Sequence, residues 1–189
     1  MINRIKVFFD KVDKISISPF IQDLSITTLA TVFTMVCSIF LTRVLAQGLG
    51  PEQYGAYALV RRFVAAFVPL FSFSMNVALP RYLGISGRER ESGLVFEVAA
   101  IMIAFPVPIL AGVVLVFGSD FFSKQLFGTA RFVDLVPALG FMLIGMVAYR
   151  ILYADYRGNL EMGKANLWKV SLIGIGPLAI AYFLSSSHG

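Results

Sequence analysis

Two adjacent arginines, Arg61 and Arg62, interrupt an otherwise apolar part of the chain. If a helix starts at Pro51, as proline at a first helical position suggests, they lie roughly 15 Å along it at 1.5 Å per residue. A membrane of ~30 Å hydrocarbon would hold that point near its middle. Arginine at such a depth costs about 2.5–3.5 kcal/mol, so a pair facing lipid is hard to sustain. A hydrated cavity removes most of that cost and makes an anion site. Guanidinium groups grip phosphate oxygens two at a time, which suits a diphosphate headgroup. Neighbouring helical residues point about 100° apart, so one arginine can face the cavity without the other. The competing reading starts the helix near Phe63 and leaves both arginines among headgroups at the interface.

Few other residues could do chemistry. Glu97 opens the third apolar stretch and could pair with Arg61, Arg62 or Arg81, or serve ion coupling; the plainer reading is a helix cap or interface residue. Arg150 and Asp155 read as an internal salt bridge or interface anchor, and Asp120 and Asp134 as loop residues. The single cysteine, Cys37, excludes an internal disulfide or a cysteine metal cluster, and the single histidine, His188, sits beside the C-terminal glycine. Neither a metal nor a cofactor is expected. No phosphate-cradling glycine loop, HExxH or serine–histidine arrangement appears, so the chain does not read as an enzyme. An isoprenoid-phosphate enzyme would gather aspartates at one membrane face; here the acids are scattered.

The elements that hold these residues are set by composition. Of 189 residues, 58 % are apolar and only 14 % charged. The mean hydropathy is +0.80. A soluble domain carries about a quarter charged residues, so most of this surface must meet lipid. The net charge of +5 falls in clusters flanking apolar runs, which favours a membrane surface over nucleic acid. The pattern predicts an all-α integral membrane protein with five spanning helices, near 24–47, 51–80, 94–118, 132–154 and 166–184. An outer tail, 185–189, follows. Strands of a barrel would alternate in ten-residue blocks, and none do.

Basic residues set the orientation. Arg4, Lys6, Lys11, Lys14, Arg81, Arg88, Arg90, Arg150, Arg157, Lys164 and Lys169 fall on one side, and Arg43, Lys124 and Arg131 on the other. Positive charge concentrates on the cytoplasmic face, so the N-terminus is expected inside a cytoplasmic membrane. Residues 1–23 interleave Ile2, Ile5, Phe8, Phe9, Val12 and Ile15 with basic residues. That spacing predicts an amphipathic helix on the cytoplasmic leaflet, or else a solvated basic tail. Pro69, Pro106, Pro108, Pro137 and Pro177 should bend the spans. Ala100 and Ala104 form a small-residue pair suited to close helix contact.

Leu41-Thr42-Arg43-Val44-Leu45 followed by Gly48-Leu49-Gly50-Pro51-Glu52-Gln53-Tyr54-Gly55 resembles the first helix junction of polysaccharide biosynthesis flippases. These belong to the multidrug/oligosaccharidyl-lipid/polysaccharide exporter superfamily. Asn76-Val77-Ala78-Leu79-Pro80-Arg81-Tyr82-Leu83 is similar to the end of their second helix, and Tyr156-Arg157-Gly158 to their fourth-to-fifth connection. Pro80 before Arg81, and the lack of a glycine near Met75-Asn76, depart from the family pattern. The resemblance implies an incomplete N-terminal lobe of a transporter that moves a polyprenyl-diphosphate-linked oligosaccharide across the membrane. It implies a truncated chain that needs a second lobe or partner chain. The alternatives are a cation-coupled multidrug exporter of the same superfamily, a non-transporting membrane subunit, and an integral-membrane glycosyltransferase. The exporter should carry acids deep in helices one or two, and this sequence has none there.

Overall fold

A computed structural model describes residues 17–85 and 90–187, with side chains described over 21–85 and 93–183. The expected amphipathic segment lies outside the described residues up to position 16, as does His188. The described residues are predominantly helical, with no strand among them.

The first helix, α1, runs Ile17–Phe71 and is broken in backbone geometry only at Gly50 (φ 73°, ψ 171°). That combination is open essentially to glycine alone, and Pro51 restarts the helix behind it. Ser38 and Arg61 line one and the same cavity, whereas straight helix between them would hold them roughly 35 Å apart. The chain therefore doubles back at Gly50, giving two arms, 17–49 and 51–71. Among the described residues, four stretches are long and apolar enough to cross a membrane: Ile21–Ile85, Gly93–Phe117, Leu135–Gly158 and Met162–Phe183. Against the five separate spans expected, the first two form one continuous stretch, because a single glycine turns the chain with no loop.

The spans expected over 51–80, 94–118 and 166–184 are each divided. Helix α2 is Met75–Ile85, so the span expected over 51–80 is interrupted at Ser72–Ser74. Phe73 and Ser74 hold positive φ there (46° and 56°), a geometry costing about 1–2 kcal/mol per residue. The buried Ser72 hydroxyl donates to the Pro69 carbonyl at 3.1 Å. The third expected span divides into α3 (Arg90–Ala104) and α4 (Pro106–Phe117) around Phe105. Pro106 has no N–H to continue the ladder. The connection between the spans expected at 94–118 and 132–154 is largely helical: α5 is Ser119–Phe127, followed by a 3₁₀ turn over Ala130–Phe132.

Helix α6, Leu135–Gly158, is the centre of the bundle. Its Val136, Leu139, Leu143, Val147, Ile151 and Ala154 recur every three or four residues and are buried, as an apolar helix stripe requires. They pack against Val64 and Val68 of α1, Leu79 and Leu83 of α2, Ala100 and Ala104 of α3, and Leu115 of α4. The alanine pair is thus in the core. A tighter crossing lies where α4 meets α6: a methyl group on Gly140 would stand 3.1 Å from the Gly112 Cα. The last span comprises α7 (Met162–Lys169), a π-helical turn (Val170–Ile175) and α8 (Gly176–Ser187). Pro177 cannot bond the Ile173 carbonyl, and the widened turn absorbs that mismatch.

Outside the core the apolar side chains face outward. Leu29, Phe33, Met35, Ile39 and Phe40 are exposed along α1, and lipid rather than water suits such a surface. The hydroxyls of Thr28, Thr31, Thr34 and Thr42 donate to carbonyls three or four residues back, which satisfies them inside an apolar layer. The chain has the build of a multi-pass membrane protein.

Candidate anion-binding cavity

A cavity of about 570 Å³ opens between the two arms of α1, the middle of α6 and the π-helical turn. The arms contribute Ser38, Leu41, Tyr57, Arg61 and Val64; α6 contributes Gly145, Met146, Tyr149 and Arg150; Leu172, Ile173 and Pro177 close the far side. Its walls are mostly apolar, with two guanidinium side chains among them. Pro51 starts the arm that carries Arg61, so Arg61 lies roughly 15 Å along it. It lines the cavity together with Met146, which sits midway along α6. Arg150 lies about 12 Å from the Gly158 end of that helix. No carboxylate is among the residues lining the cavity, and neither arginine is in an ion pair among the described residues.

The other singled-out residues are placed elsewhere. Arg61 and Arg62 are both exposed, but only Arg61 lines the cavity, as the 100° step between neighbours allows. Arg81 is exposed on α2. Glu97 pairs with none of Arg61, Arg62 or Arg81: its carboxyl group meets that of Asp155 on α6, which also receives the Asn159 Nδ2 at 2.9 Å. The internal salt bridge read for Arg150 and Asp155 does not form, because Arg150 turns into the cavity while Asp155 turns to α3. Cys37 is buried and unpaired, packed beside Gly174. Among the described residues no group of three or more His, Cys, Asp or Glu side chains could hold a metal ion.

Compared with known protein families, curated proteins and solved structures, the chain matches none.

Arg150, Tyr57 and Tyr149 line the cavity, though none of them is assigned to a binding site from the sequence, where Arg150 reads as a salt-bridge or anchor residue. A signal for Arg150 existed. The uncharged run 135–149 is too short to cross a bilayer, so its helix must extend past Asp134 or Arg150, and extension past Arg150 puts that side chain inside the span. A second cavity, about 510 Å³, adjoins the first toward the Gly50 end and shares Tyr57 and Met142 with it. At its edge Arg131 binds Glu52, Nη1 lying 2.9 and 2.8 Å from the two carboxylate oxygens. This joins the 3₁₀ turn to the start of the second arm.

Proposed function

We propose that the chain forms the cavity-bearing lobe of a flippase-type transporter for a polyprenyl-diphosphate-linked oligosaccharide in a cytoplasmic membrane. The observation that carries this reading is Arg61 and Arg150 lining one largely apolar cavity with no carboxylate among its walls. Two guanidiniums without an ion-pair partner among the described residues, on the wall of one cavity, attract an anion. The apolar walls suit the isoprenoid chain attached to it. The resemblance of the Gly48–Gly55 and Asn76–Leu83 segments to polysaccharide biosynthesis flippases points to the same ligand class.

In this reading the two arms of α1 are separate crossings, which makes five with the other three stretches, and the N-terminus is cytoplasmic by the distribution of basic residues. A second lobe, in this chain or another, completes the passage. Alternating access of the two lobes then carries the phosphate across while the saccharide stays hydrated.

The test is translocation in proteoliposomes that contain the complete transport unit. A fluorescent polyprenyl-diphosphate saccharide should move between leaflets with the wild-type chain and slow at least roughly tenfold with Arg61→Gln and Arg150→Gln together. Unchanged movement would contradict the reading and favour a non-transporting subunit.

A further inference from the structure

The geometry points to the cavity at the Gly50 end as the seat of the first sugar of the ligand, ordered head-outward from the phosphate on Arg61 and Arg150. This inference rests on the proposed function and adds where the saccharide lies and which residues select for it. The pocket, about 510 Å³, adjoins the arginine cavity, with Tyr57 and Met142 lining both. Its size falls within the roughly 300–1,000 Å³ of small-ligand sites.

The wall chemistry differs sharply between the two compartments. The arginine cavity holds two cations and no acid. The Gly50-end pocket presents the Gln53 amide, the Asp134 carboxylate, and the Tyr57 and Phe132 rings. Its one cation, Arg131, is already engaged by Glu52 at 2.8 Å. Asp134 makes no side-chain cap on α6, and its carboxylate is in no ion pair among the described residues. An unengaged carboxylate beside a neutralised arginine repels phosphate and accepts from hydroxyls. An amide supplies both a donor and an acceptor, and aromatic faces cover the C–H face of a sugar ring. The charge pattern therefore admits one ordering: phosphate between Arg61 and Arg150, hydroxylated ring between Gln53 and Asp134.

The experiment compares the binding of two probes to the full chain in nanodiscs: a polyprenyl diphosphate, and the same lipid carrying one N-acetylhexosamine. Wild type should bind the glycosylated lipid roughly tenfold more tightly, the worth of one or two added hydrogen bonds. Gln53→Ala with Asp134→Asn should erase that preference without weakening the binding of bare polyprenyl diphosphate. Arg61→Gln should weaken both probes. Equal wild-type affinity for the two probes, with Arg61 still required, overturns the sugar seat alone. Loss of both probes in the Gln53/Asp134 variant, with circular dichroism unchanged, also overturns it. Asp134-dependent binding of a metal cation without lipid would assign the pocket to a cation instead. Failure of wild type to bind either probe overturns the sugar seat and the phosphate reading together.

Discussion

Gly158 of α6 lies directly against Leu83 of α2: a β-carbon at Gly158 would fall 2.5 Å from the Leu83 Cδ1 and 2.9 Å from its Cβ, with the Pro80 Cα at 3.1 Å. Part of that wall is backbone and cannot turn aside as a side-chain tip can. Gly158→Ala should therefore force α2 and α6 apart and destabilise the bundle by about 1–3 kcal/mol, the usual cost of overpacking. Gly163→Ala is the control, since nothing lies within 4 Å of its would-be methyl. Thermal unfolding in detergent should show a lowered midpoint for the first and none for the second.

Asn166 is a buried polar residue that ties α7 to the first arm of α1. Its Nδ2 donates to Thr27 Oγ1 at 3.0 Å and to the Met162 carbonyl at 2.9 Å. Close by, the Lys169 ammonium donates to Thr31 Oγ1 at 2.7 Å. Asn166→Leu removes a donor from both acceptors and should cost about 1–3 kcal/mol. Thr27→Val removes one interhelical bond and should cost only about 0.6 kcal/mol, the average for such bonds in membranes. Chemical denaturation of the two variants side by side checks the ranking.

The Glu52–Arg131 pair is exposed, with side-chain accessibilities of 60 and 63 %. Exposed pairs contribute about 0–1 kcal/mol. A double-mutant cycle of Glu52→Gln and Arg131→Gln should give a coupling energy inside that range, shrinking as salt is added. A larger, salt-insensitive coupling would show that the pair is shielded from solvent.

The sequence made the apolar spans and the α6 stripe readable, since Val136, Leu139, Leu143, Val147, Ile151 and Ala154 keep helical spacing. Pro106 and Pro177 also mark where helices change course, whereas Pro108 and Pro137 fall in the first turns of α4 and α6, where no ladder bond is lost. The joining of two expected spans was not readable. Gly48, Gly50 and Pro51 look like a loop, and only backbone geometry reveals that one residue makes the turn. The helix over Ser119–Phe127 was also obscured, since its charged and polar residues break the apolar run on which span detection depends. For the cavity, the depth of Arg61 could be counted along the chain. Its neighbour across the cavity could not, because contact between α1 and α6 depends on how the bundle packs. For the same reason the charge of Glu97 does not reveal its neighbour: an arginine partner and a cap or interface role are both open in the sequence, and packing sets it beside Asp155.

The most direct measurement compares the affinity of the purified full chain for a polyprenyl phosphate with its affinity for the uncharged polyprenol of equal length. The two probes share every apolar contact and differ only in the anion. Wild type should prefer the phosphate by at least roughly tenfold, the scale of hydrogen bonds to charged groups. Arg61→Gln with Arg150→Gln should bind both lipids alike, at the wild-type affinity for the alcohol. Equal wild-type affinity for the two lipids, or a preference that survives loss of both guanidiniums, would contradict the assignment of this cavity to a phosphorylated lipid.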